Sequence, residues 1–461
     1  MSRFGFDDQL NSAKDGVFSV NSLFSRFSKD VDLSPEDGIP TPAALPVRVH
    51  EFIHFMHNIS TRSGVKITYL THAVIAVCVH KFTQVDGTMA GGDDDDLLFF
   101  IQNMGYLKGG FVGGAPFFRK EKFLSWKFGQ PESFPSPLKK DKTVGYSIKI
   151  EGCRGENVVL NETLNVGWSF ITEGVAFEAE RVCWKNAGVS EDYVREITPS
   201  FPYFAYGALV DFLVGRQTTS QERLIVGNIA LFHDSPGMAL IEACDKLKVG
   251  AKEYLDYQAE QISSFERFVK NDLSDYLDEV QKFYADSEYL KDRFSEYSKI
   301  IKMAAEKRAK HPHVEEAFIQ AGLDVEKFMR YSANFAPHVV IQEKQNGKAE
   351  LEIVDVDGGL LVSNQERELF GYMVLCSVIH FVSKHIKATG SVSSTDELQP
   401  MVCPFSGTCE VEKSEKYPGT CKTTPWKLQR VVTKNQPGVC LYQAALHAIR
   451  QAPAPTLITS N

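Results

Sequence analysis

The sequence predicts a mainly α-helical chain with small β hairpins, of the α+β class. Three observations carry this. Apolar residues recur at helical spacing through long stretches, among them 47–60, 168–184 and 363–387. From Ala251 to Lys310 the chain turns charged and periodic, with Tyr254, Tyr257, Ile262, Phe265 and Phe268 on one stripe. Strand signals are confined to short alternating runs that pair as hairpins. With 461 residues, 43% hydrophobic and 24% charged, the chain can bury a large core without disulfide staples. Fifty basic against 59 acidic residues, a net charge of −9, argue against a nucleic-acid binder.

Residues 1–45 are polar and close on the turn-rich run Ser34-Pro35 to Pro42, a lead-in segment. Pro46 opens a helix to Ser60, and a second apolar helix runs on to about Phe82. Four aspartates, Asp93 to Asp96, sit where negative charge suits the start of a helix over Leu97–Leu107. The glycines of 109–114 lack a following Gly-Lys-Ser/Thr and read as a loop. Tyr146–Glu151 and Asn157–Leu160 form a hairpin around Gly152 and Gly155. Helices follow over Trp168–Trp184, Phe204–Gly215, Gln221–Phe232 and Gly237–Leu247, then two or three amphipathic ones over 251–310. Val339–Lys344 and Ala349–Val354 flank Asn346-Gly347, a hairpin signal, and Ser363–Lys387 is the last long apolar helix. The resulting segments are 1–45, 46–248 with an insertion at 84–160, 249–335, 336–392, and a Cys-containing 393–461 with a polar tail from Pro453.

The start of the chain has no apolar signal-peptide core, and the most apolar run, Ile67 to Val79, falls short of a membrane span. Five of nine cysteines (Cys78, Cys153, Cys183, Cys244, Cys376) are scattered singly, the usage of a reducing compartment. A cytoplasmic protein that engages no membrane is expected.

Chemistry concentrates in the Pro46 helix, which reads His50-Glu51-Phe52-Ile53-His54 and continues to His57. His50 and His54 stand one turn apart on the same face, where two neutral imidazoles can share a zinc ion at about 2.0–2.1 Å. Glu51 lies about 100° round the helix and can accept a proton from water at the metal. The helix is apolar nearly all round, so burying these polar groups together is costly unless something pairs them. His57 shares the stripe, but along a straight helix it lies about 10 Å from His50, too far to share one ion. It is expected instead as a supporting residue, or as a donor to substrate or oxyanion. A metzincin pattern would need Gly at 57 and His at 60; the chain has His57 and Ser60.

A downstream helix carries Glu173-Gly174-Val175-Ala176. His-Glu-x-x-His followed by a helix bearing Glu-Gly-x-Ala resembles the gluzincin group of zinc metallopeptidases. The resemblance implies His50 and His54 as histidine ligands, Glu173 as the carboxylate ligand, and Glu51 as general base. It implies a zincin-like arrangement of catalytic helices, with the 118 residues between His54 and Glu173 as a large insertion. Glu178 and Glu180 are expected as solvated or supporting carboxylates, with Glu162 an outside candidate ligand. Tyr203, Tyr206, His233 and Arg62 are available as oxyanion donors, and nothing in the sequence chooses among them.

Cys403, Cys409, Cys421 and Cys440 crowd into the last 60 residues, three of them beside Pro or Gly turns. Four such thiols suit a closed structural zinc site or an iron–sulfur cluster; reduced cysteines in a loop-rich segment are the alternative. The expected function is zinc-dependent hydrolysis of a peptide or protein substrate. The rival is a catalytically inactive helical scaffold that docks a protein partner through 251–310.

Overall fold

A computed structural model of the chain describes residues 16–18, 24–35, 38–109, 125–135, 143–285, 287–345, 348–354, 363–387, 389–409, 419–427 and 440–450. The glycines at 110–114, the Asn346-Gly347 turn and the tail from Pro453 lie outside the described residues. Among the described residues the fold is mainly helical with two small sheets.

The lead-in segment supplies strands rather than turns alone. β1 (Gly16–Phe18) pairs antiparallel with β2 (Phe24–Phe27), and β2 lies parallel to a strand more than 300 positions later. α1 (Ala44–Ser60) starts two residues before Pro46, which therefore falls in the first turn, where a missing N–H costs no hydrogen bond. Thr61 separates α1 from α2 (Arg62–Phe82). Its hydroxyl donates to the His57 carbonyl at 2.6 Å and accepts from the Gly64 amide at 3.1 Å. The corner is so tight that a Cβ at Gly64 would stand 2.1 Å from the His57 carbonyl oxygen.

α2 runs 21 residues, longer than the apolar run that marks it in the sequence, and is long and apolar enough to cross a membrane. Its most apolar stretch is 72% buried inside the protein, the condition of a core helix. Asp94 caps α3 (Asp95–Lys108) by accepting from the Leu97 amide at 2.9 Å, as the aspartate run leads one to expect.

The second sheet is built on one long strand. β3 (Ser125–Phe128) and β4 (Glu132–Pro135) pair with opposite ends of β5 (Thr143–Arg154), whose other edge takes β6 (Asn157–Val166). The hairpin is longer at both ends than its alternation suggests, and β6 runs straight into α4 (Trp168–Asn186).

α5 (Glu191–Ile197), α6 (Tyr203–Val214), α7 (Ser220–Leu231) and α8 (Pro236–Val249) follow, α5 without a clear signal in the sequence. α7 opens on a capping box between Thr219 and Glu222. α9 (Ala251–Arg267) passes through one π-helical turn, Phe268–Asp272, into α10 (Leu273–Lys282), and α11 covers Glu288–Lys310. Tyr254, Tyr257, Phe265 and Phe268 are buried in the chain's own core. The aromatic stripe of this region is therefore turned inward.

α12 (Val325–Phe335) precedes the hairpin of β7 (His338–Glu343) and β8 (Ala349–Val354), and β7 is the strand that receives β2. α13 (Ser363–Ser383), the short α14 (Thr420–Thr423) and α15 (Leu441–Arg450) complete the chain. Among the described residues one large apolar cluster runs from Phe24 through α1, α2, α4 and α11 to Ile449, beside a small one of Phe177, Trp184 and Val194.

Candidate metal centre

α1 lies at the middle of this interior, with His50 5%, His54 9% and His57 0% exposed. α4 packs against it antiparallel: His54 meets Glu173, while His50 meets both Glu173 and Glu180. Gly174, next to Glu173, sets how closely α4 packs on α6. Its backbone lies against the Tyr206 ring of α6, and a Cβ there would fall 1.9 Å from the ring. The glycine of the Glu-Gly-x-Ala motif is thus a packing requirement that seats the helix carrying Glu173.

Three ligand atoms converge where the helices meet. His50 Nε2 and His54 Nε2 are 3.0 Å apart, and each is 3.3 Å from Glu173 Oε2. Zinc arms of about 2.0–2.1 Å in a tetrahedron give ligand–ligand edges of about 3.3 Å. Among the described residues this is the one group of three or more His, Cys, Asp or Glu side chains whose ligand atoms lie within 4.8 Å of one another.

The surrounding contacts fix how the His50 ring is turned. His50 Nδ1 is 2.8 Å from Glu180 Oε2, and an ionised carboxylate only accepts, so Nδ1 bears a hydrogen and Nε2 is the ring atom turned toward the cluster. Glu180 is itself fixed, its other oxygen accepting from Trp184 Nε1 at 3.0 Å. Carboxylate-to-histidine support of this kind is what metal-binding imidazoles use to hold their tautomer. Glu173 Oε2 is buried with no well-aligned donor of its own, a cost that a cation would remove.

Charge within the cluster is mutually sustained. Burial works against a proton on His50, but Glu173 and Glu180 outweigh it and hold the ring well above the ordinary histidine range, so a proton and a cation compete for Nε2. Burial would raise Glu173, but His54 and His50 outweigh it and keep the carboxylate ionised below its usual range. The donor set of two imidazoles and one carboxylate fits a divalent cation. Part of the Glu173 side chain, 18%, is exposed.

Of the four donors the sequence leaves open, one reaches the triad. Tyr203, at the first position of α6, packs its ring 5.2 Å from Phe177 and 5.7 Å from His50 and hydrogen-bonds Glu173. Burial and the Glu173, Glu180 and Glu51 carboxylates hold its hydroxyl well above the ordinary phenol range, so it stays a donor. The other three are engaged elsewhere. The Tyr206 hydroxyl donates to the Arg223 carbonyl at 2.7 Å, Arg62 forks onto Asp234, and His233 Nδ1 accepts from the Ser235 amide.

Half-buried Glu51 stays out of the triad, its carboxylate within electrostatic reach of His50 and Tyr203. Glu178, expected as solvated or supporting, is neither exposed nor near the triad's imidazoles: it is 1% exposed and pairs with Arg223 at 3.0 Å. Glu162 sits on β6 opposite Ile150, outside the triad.

His57 also turns away. Its Nε2 lies 3.2 Å from Asn228 Oδ1 and 3.2 Å from Glu315 Oε1, in a pocket sealed from solvent. A ring so enclosed is not placed to touch substrate, so the expectation of a direct donor gives way to an interior role.

Comparison with protein-family models, with curated proteins and with solved structures finds no match for this chain. The reading of the site therefore stands on its geometry.

The orienting contact has a measurable consequence. Glu180→Gln keeps the shape of the side chain but removes the charge that holds the His50 tautomer. Metal affinity, titrated against a chromogenic chelator, is expected to fall by about 10–100-fold. An unchanged affinity would remove Glu180 from the site.

Proposed function

We propose that His50, His54 and Glu173 hold a zinc ion and that the chain is a zinc-dependent hydrolase, most specifically a metallopeptidase. The observation that carries the reading is the convergence of two imidazole nitrogens and a buried carboxylate oxygen, at 3.0 and 3.3 Å. The peptide bond as substrate rests on the gluzincin resemblance of the two motifs.

Zinc, when bound, supplies Lewis acidity toward water and toward a carbonyl oxygen. The chain's own groups do the rest. Glu51, one position from a ligand and outside the ligand set, takes a proton from the attacking water and returns it to the leaving amine. Tyr203 presents a protonated hydroxyl to the charge that develops on the carbonyl oxygen. Glu180 orients the His50 ring, and Gly174 fits α4 closely against the Tyr206 ring of α6.

The test is metal content. Purified protein is expected to hold about one zinc ion at this site, and the double variant His50→Ala, His54→Ala is expected to lose it. Full retention of zinc in that variant would sink the proposal. So would iron in place of zinc in the native protein, because two histidines and a carboxylate also suit oxygen-activating iron.

A further inference from the structure

The four C-terminal cysteines are all reduced, and among the described residues no three of their sulfurs lie within 4.8 Å of one another. Support of a metal centre is instead built around the triad, and it extends one residue beyond Glu180. Glu173, Phe177, Glu180 and Trp184 recur at spacings of four, three and four, which places them on one stripe of α4. Trp184 stands in the last turn of the helix and is 3% exposed. Its Nε1 donates to Glu180 Oε1 at 3.0 Å, while Glu180 Oε2 lies 2.8 Å from His50 Nδ1. The carboxylate is thus spanned, one oxygen toward each ring.

This arrangement answers a mechanical need. A glutamate side chain is long and rich in rotamers, so a contact through one oxygen leaves its carboxylate free to turn. A second contact through the other oxygen removes that freedom. The indole N–H is suited to the task because it only donates and cannot exchange roles with its acceptor. Donation to an ionised carboxylate is also charge-assisted, and stronger than a bond between neutral groups.

The indole is itself held in place. Phe177, Trp184 and Val194 of α5 form a small apolar cluster of their own, packed against Val189, Tyr203 and Phe204. The Phe177 ring lies 5.2 Å from Tyr203 and 4.9 Å from Phe204. One packing unit therefore seats both the indole that meets Glu180 and the phenol that meets Glu173. We propose that Trp184 is a positioning residue of the metal centre, fixing the Glu180 carboxylate that in turn fixes the His50 ring. This inference rests on the reading of His50, His54 and Glu173 as a zinc site.

The experiment titrates zinc into the metal-stripped full chain against a chromogenic chelator. Trp184→Phe keeps an aromatic ring in the cluster and lacks the N–H. It is expected to weaken zinc binding by about 10-fold, the low end for partners outside the ligand set. Because the smaller ring also loosens packing, benzothienylalanine is placed at the same position, where it keeps the two-ring shape without the N–H; the same loss is expected. Trp184→Phe is then added to Glu180→Ala, in which the indole has no carboxylate to hold. No further loss of affinity is expected there, because the two residues act through one contact. A tryptophan that only fills space would weaken binding equally in both backgrounds. That result, or native affinity in the benzothienylalanine protein, overturns the role of Trp184 and leaves the zinc reading standing. A native protein that binds no zinc removable by His50→Ala, His54→Ala overturns both.

Discussion

Arg308→Met is expected to cost the fold about 3–5 kcal/mol, read as a shift in the urea midpoint at unchanged slope. The Arg308 and Glu315 side chains are both 0% exposed, and the guanidinium forks onto the carboxylate while its Nε donates to Ser60 Oγ at 2.6 Å. Asn228 Nδ2 donates to the same carboxylate at 2.7 Å, and His57 completes the cluster. Removing the arginine leaves a buried carboxylate without its counter-charge, which costs more than the intact pair contributes. The paired replacement Arg308→Met, Glu315→Leu should therefore lose less than the two single changes added together. Equal and additive losses would mean the pair is not coupled.

The same cluster gives the stability a pH dependence of definite sign. Burial opposes ionisation of Glu315, but Arg308 and His57 outweigh it and hold its folded pKa below the ordinary carboxylate range. Its contribution is complete above the unfolded value of about 4.3 and is lost as pH falls toward the folded value. Buried neutral histidines act in the same direction. Burial lowers His72 and His380 to about 3, and His338 and His385 to about 4. Below about pH 6.5 the unfolded chain binds protons at these positions that the folded chain refuses, so stability falls as pH falls. Acid unfolding should accordingly set in well above the pH at which exposed carboxylates titrate. A urea midpoint constant between pH 7 and pH 4.5 would contradict this.

What the sequence discloses and what it hides divide along physical lines. α1, α2 and α4 are legible because each buries most of its circumference, and a long apolar run at helical spacing has few other uses. β1 and β2 are not, because a strand of three or four residues is defined by its partner, and β7, the partner of β2, lies more than 300 positions away. At the site, His50, Glu51 and His54 are visible as a pattern on one helix. Glu180 is visible only in retrospect: it lies seven positions after Glu173, two turns along the same face, but a sequence does not say which face of α4 meets α1. Glu315 follows His311-Pro312-His313, a stretch that reads as a polar loop, yet it is fully buried because Arg308 reaches across to it. The choice of Tyr203 over Tyr206 likewise depends on how α6 is seated against Gly174.

Glu51→Gln is expected to leave the metal in place and abolish hydrolysis, with a rate loss of about 10²–10⁴-fold. The argument turns on where Glu51 sits. It neighbours His50 in sequence but does not join the converging atoms, so neutralising it removes no ligand. Glutamine keeps the length and most of the volume of the side chain while lacking the basic oxygen that receives a proton. Zinc content should therefore match the native protein, and melting temperature should change little, because the side chain is half-buried and outside the apolar core. Activity is read by incubating zinc-loaded protein with a pool of peptides of defined sequence and following cleavage by mass spectrometry. Loss of cleavage with zinc retained separates a general base from a ligand, because a ligand variant such as His54→Ala should lose both together. If Glu51→Gln cleaves at the native rate, the proton is taken elsewhere and the proposed mechanism fails. If it sheds its zinc, Glu51 is part of the metal site and the assignment of Glu173 as third ligand has to be redrawn.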